Sequence, residues 1–211
     1  HDVVNFVRRR FNVKKVGHCG TLDPLATGLL VLVLGHATKM SQRLSGEDKV
    51  YESVLRVGTE TDSYDLEGQV LEENDWSHVT PEIVEKTCLE FVGEQLQVPP
   101  MVSAKKQDGK KLYELARKGV TVEREARPIV IHALDIQKIE LPDVFFTLDC
   151  SKGTYVRSLC HDIGEKLGCG GVLADLRRTK SGAFSIEGAV TVDEMKTWEQ
   201  EQLAEHLTHD F

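Results

Sequence analysis

Apolar positions spaced three and four residues apart predict four helices along the chain. Asp2 is a residue type that caps a helix N-terminus, and Thr80 followed by proline is a favourable helix start. Glycine closes the second, third and fourth helices, where the chain leaves the helical conformation. The predicted helices run from Asp2 to Phe11, from Ala37 to Gly46, from Thr80 to Gly93 and from Val156 to Gly168.

Other segments have the patterns of β-strands. Leu29 to Leu34 is a continuous apolar run and predicts a strand buried on both faces. In the segment 50–57, Tyr51 and every second residue after it share one face of a strand. Further strands are predicted after the turn in "YDLEGQVLEE", over 129–139 and over 144–150, the last two joined at Pro142. This mixture of hairpins and helices indicates the α+β class, with a mixed, mainly antiparallel sheet flanked by helices.

The stretch from about 99 to 127 has no core pattern. It combines Pro-Pro, the polar run "KKQDGKK", the short helical segment "LYELARKG" and a second charged stretch. Such a composition is typical of an excursion from the core, and it predicts a basic flap.

The composition favours a water-soluble globular protein. Of the 211 residues, 40% are hydrophobic and 28% are charged, and the apolar runs fall well short of the roughly 18 residues that span a bilayer. The chain begins without the basic and apolar segments of a secretory signal. We therefore expect a single cytoplasmic domain without contact to a membrane.

Charge is distributed unevenly along the chain. The net charge is −8, yet residues 1–43 carry seven basic and two acidic groups and residues 101–131 carry eight and four. Residues 44–100 carry three basic and fourteen acidic groups. Because affinity for a polyanion depends on the local density of Lys and Arg, the two cationic segments are compatible with a nucleic-acid partner.

The five cysteines do not suggest thiol chemistry. Their number is odd and no pair has the C-x-x-C spacing of a zinc or redox site. We expect reduced, packed thiols rather than a disulfide framework or a cysteine nucleophile.

Asp23 is the first candidate for chemistry. It precedes proline in a turn bounded by Gly20 and Gly28, immediately before the apolar run. A carboxylate at the edge of a core needs a cation or hydrogen bonds. Arg157 is the predicted partner, because Thr154 as helix cap would place Arg157 in the first turn of a helix, where a negative charge is stabilised.

Several long blocks resemble successive signatures of the TruB family of pseudouridine synthases. They are "GHCGTLDPLATGLLVLVLG", "KVYESVLRVGTETDSYDLEG", "VPPMVSAKKQDGKKLYELARKG" and "CSKGTYVRSLCHDIGEKLGCGGVLADLRRTKSGAFSIEGAV". The similarity covers residues 2 to 195 in order. It implies a pseudouridine synthase catalytic domain over residues 1–195, with a basic RNA-binding flap and an acidic tail over 196–211.

The resemblance implies that the protein isomerises a uridine in RNA, usually uridine 55 in the T-loop of tRNA, without metal or other cofactor. Asp23 matches the catalytic aspartate and Tyr51 the aromatic residue that stacks on the target base. His18 matches a histidine that fills the space left by the extruded nucleotide. The other implied substrate-site residues are Tyr155, Arg157, Asp65 of the arginine network and Leu176 of the pocket wall.

The same resemblance implies the T-arm of tRNA as partner, and no obligate protein partner is inferred. Phosphate contacts are expected from the flap residues Lys105, Lys106, Lys110, Lys111 and Arg117. Whether the carboxylate attacks C1′, attacks the uracil ring or assists a glycal route is left open by the sequence.

The chain also departs from the family. The opening strand and K-P-x-G block that normally precede the first helix are not in this sequence, so we expect it to be truncated at its start, and its end is an acidic tail where many relatives carry a PUA or PUA-like domain. Three alternatives are a guide-RNA-dependent synthase, an RNA-folding chaperone without catalysis, and a glycosidase. The glycosidase would need a second carboxylate about 5 to 9 Å from Asp23, from Asp62 or Asp65.

Overall fold

The computed structural model of the protein describes residues 2–101, 106–107, 110–111 and 124–208, with the two short stretches described as backbone only. The helices in this part of the chain are α1 (Asp2–Arg10), α2 (Ser41–Ser45), α3 (Pro81–Leu89), α4 (Val156–Leu167), α5 (Val192–Thr197) and α6 (Gln200–Glu205), with 3-10 turns at Gly35–Met40 and Ile186–Gly188. The strands are β1 (Val16–His18), β2 (Thr27–Gly28), β3 (Leu32–Leu34), β4 (Lys49–Val57), β5 (Thr59–Thr61), β6 (Val70–Glu73), β7 (Gly93–Gln97), β8 (Lys106–Gln107), β9 (Lys110–Lys111), β10 (Arg127–Glu140), β11 (Asp143–Cys150), β12 (Gly171–Ser181) and β13 (Phe184–Ser185).

A seven-stranded sheet forms the centre of the fold. Its order is β13-β12-β4-β11-β10-β7, all antiparallel, and β2 pairs with β12 in parallel. Two-stranded ladders join β1 with β3, β5 with β6 and β8 with β9. The predicted α+β class with a mainly antiparallel sheet is confirmed.

The main core lies where α3 and α4 pack against this sheet. Leu55 of β4, Leu148 of β11 and Ile163 of α4 are completely buried in it. Each such side chain contributes about 1.5–3 kcal/mol by leaving water. The core therefore holds α4 firmly against β4 and β12, the strands that carry Tyr51, Leu176 and Arg178.

A second apolar cluster joins α1 to the last helices. Val7 and Phe11 of this cluster pack with Met195 and Trp198. Beside it lies a cavity of about 1000 Å³ lined mainly by apolar residues of α1, the 26–34 segment and 184–208. None of the helices in the described part of the chain has the length and apolar character needed to cross a membrane.

Three predicted elements differ from the structure, the first being the helix predicted from Ala37 to Gly46, which is a 3-10 turn at Gly35–Met40 followed by α2 at Ser41–Ser45. The run from Leu29 to Leu34 forms a strand only from Leu32, because the Leu29 amide instead donates to the carbonyl of Arg178 at 2.8 Å. Nor is this run buried on both faces, since Val31 and Val33 are buried while Leu30 is only partly so. The helix that begins at Pro81 ends at Leu89, four residues before Gly93, which instead begins β7.

Candidate active site

The loop that carries Asp23 connects β1 to β2 and is shaped by glycine. Gly20 and Gly28 have φ values of +103° and +96°, which L side chains rarely adopt. A Cβ atom on Gly28 would lie 2.3 Å from the carbonyl oxygen of Arg178. Between them the Ala26 amide donates to the Asp23 carbonyl at 2.9 Å, closing a turn with Pro24 at its second position. The predicted glycine-bounded turn is present.

Arg178 binds the backbone at both ends of this loop. Its side chain is almost completely buried, and Nε donates to the Leu29 carbonyl at 2.8 Å while Nη2 donates to the Gly20 carbonyl at 3.2 Å. Hydrogen bonds from a buried charged group are among the stronger ones in proteins. The guanidinium thus fixes the backbone on either side of Asp23.

Asp23 forms an ion pair with Arg157. The Arg157 Nε donates to Asp23 Oδ2 at 2.8 Å, and the side chains are 4% and 33% exposed, respectively. The carboxylate is therefore held at the surface of the core with one side open to solvent. Such a pair across 134 residues of sequence fixes the Asp23 loop to α4.

Arg157 lies in the first turn of α4, as predicted, but the expected cap is wrong. Tyr155 occupies the N-cap position with an extended backbone, and it makes no side-chain cap bond. The Thr154 hydroxyl donates instead to the Ser151 carbonyl at 2.9 Å. Thr154 therefore closes the preceding turn, one residue too early to cap the helix.

Asp65 joins the same guanidinium from a second loop. Its Oδ2 lies 3.7 Å from the Arg157 Nε, and the Arg157 Nη1 donates to the Ser63 carbonyl at 3.0 Å. The Asp65 carboxylate is buried, and its Oδ1 accepts from the Ser63 hydroxyl at 2.6 Å and from the Glu67 amide at 3.1 Å. These bonds fix Asp65 as a buried negative charge beside the Arg157 guanidinium.

Tyr51 projects from β4 beside the loop. It packs against the main core, as do Leu25 and Ala26 of the loop. Burial raises the pKa of the Tyr51 phenol to about 12; Cys150 adds to this effect, the Arg178 guanidinium opposes it, and Asp23 makes a smaller upward contribution. Tyr51 is therefore a neutral aromatic ring within electrostatic range of the Asp23 carboxylate.

We expect Tyr51→Phe to make the protein more resistant to alkali. The folded protein keeps the phenol protonated to a pKa of about 12, whereas an unfolded chain loses this proton near pH 10. Because the folded pKa is the higher one, this stability is complete below pH 10 and is lost as the pH rises towards 12, with on the order of 1 kcal/mol lost at pH 11. Urea unfolding measures the free energy of unfolding at pH 8 and at pH 11. Between these pH values it should decrease less for Tyr51→Phe than for wild type, by that amount, and equal decreases in the two proteins would contradict the prediction.

The other predicted residues lie on elements that adjoin the Asp23 loop or α4. Leu176 is buried in the main core on β12, and its carbonyl accepts from the Thr27 hydroxyl of the loop at 3.4 Å. The side chain of Gln97 binds the Tyr155 backbone twice. The Tyr155 amide donates to Gln97 Oε1 at 2.8 Å, and Gln97 Nε2 donates to the Tyr155 carbonyl at 3.0 Å. His18 lies on β1 at the base of the loop, where its carbonyl accepts from the Ser41 hydroxyl at 3.1 Å.

The flap predictions fall largely outside the described residues. Lys105 and Arg117 lie there entirely, while Lys106, Lys110 and Lys111 are described only as backbone in the β8–β9 ladder. Their proposed contacts with phosphate remain predictions.

Sequence reasoning missed Arg178 and Gln97 as parts of the site. Arg178 lies two residues after Leu176 on β12 and so faces the same buried side, but the sequence pattern did not predict this strand. Gln97 had no local signal, since its partner is the Tyr155 backbone on a distant helix.

The cysteines take no part in the site as nucleophiles. All five are buried and none forms a disulfide, as the sequence predicts. Burial raises the pKa of the Cys88 and Cys150 thiols to about 12, so both are neutral at physiological pH. In the part of the chain that the structure describes, no group of three His, Cys, Asp or Glu residues converges as a metal site.

Comparison with known proteins gives these residues a family context. The profile of "TruB family pseudouridylate synthase (N terminal domain)" matches residues 8–156, and that of "tRNA pseudouridylate synthase B C-terminal domain" matches residues 157–209. The chain is 53% identical over 194 residues to tRNA pseudouridine synthase B of Geotalea uraniireducens, covering 92% of this chain and 63% of that protein. It is 48% identical over 207 residues to the protein of the same name from Syntrophotalea carbinolica, covering 98% and 68%.

Solved structures share the fold at lower identity. A chain in the crystal structure of a Cbf5-Nop10-Gar1 complex has a TM-score of 0.73 and 29% identity, and it covers 98% of this chain. A chain of an H/ACA RNP bound to a substrate RNA containing 2′-deoxyuridine has a TM-score of 0.69 and 27% identity. This chain spans 54% and 52% of those two chains.

Proposed function

The chain belongs to the TruB family of pseudouridine synthases, and from this premise we propose that it isomerises a uridine of tRNA to pseudouridine, at uridine 55 of the T-loop. Asp23 supplies the catalytic carboxylate. The observation that carries the proposal is the 2.8 Å bond from the Arg157 Nε to Asp23 Oδ2, in a loop fixed on both sides by Arg178.

The reaction suits a site with a single reactive carboxylate. The N1–C1′ bond of uridine breaks, the uracil turns in place, and a new bond joins C5 to C1′. The proton on C5 leaves to solvent and N1 gains one, so atoms and electrons balance without an oxidant or reductant. Attack at C1′, attack at the uracil ring and assistance of a glycal route all use the same carboxylate oxygen as nucleophile or base.

Extrusion of the nucleotide explains the aromatic residue. A uridine inside a folded T-loop must leave its stack, which costs a few kcal/mol. Stacking on an aromatic side chain offsets this by about 1–3 kcal/mol per base. Tyr51 presents such a ring beside the loop, and stacking allows the freed uracil to rotate without departing.

Asp65 is better suited to positioning than to acid catalysis. A glycosidase needs a second carboxyl group that donates or accepts a proton independently of the first. The Asp65 carboxylate is buried, already accepts from Ser63 and Glu67, and shares the Arg157 guanidinium with Asp23. These contacts favour the isomerase over the glycosidase.

The remaining substrate contacts are part of the proposal. We assign Tyr155 and Leu176 to the pocket wall, because both adjoin elements that hold the Asp23 loop or Arg157. His18, at the base of the loop, is assigned to the space that the extruded nucleotide leaves. The partner is the T-arm of tRNA, and modification of tRNA supports a cytoplasmic location.

Tritium release from C5-labelled uridine in a T-arm RNA tests the proposal. We expect stoichiometric release without added metal, nucleotide or protein partner. A matched RNA with cytidine at the target position and the label at other uridines should release none. Release that requires a guide RNA would favour the guide-dependent alternative, and RNA folding without release would favour a chaperone.

Neutralising the flap lysines should weaken RNA binding. We expect Lys105→Gln, Lys106→Gln, Lys110→Gln and Lys111→Gln combined to lower affinity and to reduce the slope of log K against log salt by about 0.7–0.9 for each phosphate that is no longer neutralised. The matched control replaces Lys86, Lys138, Lys166 and Lys196 by Gln, an equal charge change outside the flap. Equal slopes for the flap variant and wild type would argue against the flap as an RNA-binding element.

A further inference from the structure

Tyr64 has a backbone conformation that is unusual for its residue type. Its φ is +65°, and in the described part of the chain Asn12 is the one other non-glycine residue with positive φ. Asparagine tolerates this region, whereas a bulky side chain is strained in it. Glycine would occupy the position without strain, so the tyrosine ring needs a compensating interaction.

That interaction is a stack with His161. The two ring centroids are 4.0 Å apart and the ring planes differ by 5°. His161 lies on α4 four residues after Arg157, which places both side chains on the same face of the helix. The helix that presents Arg157 therefore also presents the ring that binds Tyr64.

The neighbours of Tyr64 are the residues that contact Arg157. Ser63 offers its carbonyl to the Arg157 Nη1 at 3.0 Å, and the Asp65 carboxylate lies 3.7 Å from the Nε. The position of the turn 63–65 relative to α4 therefore decides whether the Ser63 carbonyl accepts from the guanidinium and whether the Asp65 carboxylate stays beside it.

Other bonds hold the same turn to a different element. The Leu173 amide donates to the Tyr64 carbonyl at 3.0 Å, and the Leu66 amide donates to the Leu173 carbonyl at 3.1 Å. These bonds fix the turn against β12. The stack fixes it against α4.

We propose that Tyr64 and His161 are positioning residues that clamp the left-handed turn to α4 and so keep Arg157 directed at Asp23. The inference rests on the proposed function for its catalytic consequence. A strained backbone persists only where its surroundings over-determine it, and here the stack supplies that constraint. Without the stack, Ser63 and Asp65 move relative to the guanidinium, and the Asp23 carboxylate is less well oriented.

Four single variants separate the loss of the aromatic stack from other effects of a substitution at these two positions. Tyr64→Gly removes the ring and relieves the strain, and His161→Leu removes the other ring at similar size. Tyr64→Phe and His161→Phe keep both rings. We expect the first two to lower the rate constant of pseudouridine formation at saturating RNA about tenfold, with RNA affinity unchanged within twofold, and the two phenylalanine variants to remain within twofold of wild type.

The double variant Tyr64→Gly, His161→Leu should be no slower than the slower single variant, because both substitutions remove the same stack. If the fold-decreases in rate of the two single variants multiply in the double variant, the clamp is overturned. Unchanged rates in both Tyr64→Gly and His161→Leu would also overturn it. A loss of RNA affinity at an unchanged rate would show that the rings contact RNA, which also overturns it. If His161→Leu does not fold, Tyr64→Gly decides, because glycine accepts the backbone conformation.

Hydrogen exchange gives a measure that does not depend on activity. The Glu67 amide donates to Asp65 Oδ1 within the turn, so its exchange should accelerate in both ring-deleting variants and not in the phenylalanine variants. Equal protection in all variants would overturn the clamp. Absence of tritium release from the wild type would overturn the proposed function alone, and the exchange data would then decide the clamp separately.

Discussion

Asp23→Asn is expected to lower pseudouridine formation by at least about 10⁴-fold, the scale seen when a reactive side chain of an enzyme is removed. Asparagine has nearly the same shape and keeps an oxygen that can accept from Arg157 Nε. It lacks the negative charge and the nucleophilicity of the carboxylate. The chemical step should therefore be lost while the loop, held by Arg178, keeps its conformation.

RNA affinity separates this effect from a loss of structure. Because this substitution leaves the flap lysines that we propose to contact phosphate intact, affinity should change by less than about threefold. Asp48→Asn is the matched control, since Asp48 is an exposed aspartate paired with His132 at the surface. Tritium release and filter binding measure both quantities. Full activity in Asp23→Asn would disprove the role of the carboxylate, and parallel loss of folding would leave it unsupported.

The elements around the site could be predicted because their signals are local. Proline after threonine marks the start of α3, where the Thr80 side chain accepts from the Ile83 amide. Apolar spacing marks α4 and its end at Gly168, which is left-handed with φ +76°. Capping and periodicity depend on residues a few positions apart, so they are visible in the sequence itself.

Contacts between segments distant in sequence were harder to predict. Nothing local distinguishes Gln97 as the partner of the Tyr155 backbone, or Leu29 as a residue that bonds to β12 rather than extending β3. The Asp23–Arg157 pair was predicted because the carboxylate needs a cation and Arg157 was expected in the first turn of a helix, and the family resemblance then pointed to the same arginine. The Tyr64–His161 stack follows only from the three-dimensional placement of a turn against a distant helix.

Arg157→Gln is expected to destabilise the protein as well as to inactivate it. The change leaves the Asp65 carboxylate, 6% exposed, without its cation. Removing one partner of a buried ion pair costs about 3–5 kcal/mol, because the other charge stays buried and uncompensated. Urea unfolding should show a loss of this size, and tritium release should fall because Asp23 is no longer oriented. A variant as stable and active as wild type would contradict the network.

A second substitution separates the two consequences. Asp65→Asn in the Arg157→Gln background removes the orphaned charge, so it should recover a large part of the lost free energy of unfolding. It should not recover tritium release, because Asp23 still lacks its 2.8 Å partner. Arg157→Lys keeps the charge without the fork geometry and should be more stable than Arg157→Gln yet still impaired in the chemical step. Joint recovery of stability and activity in the double variant would show that Arg157 serves folding alone, and the ion pair with Asp23 would then have no catalytic role.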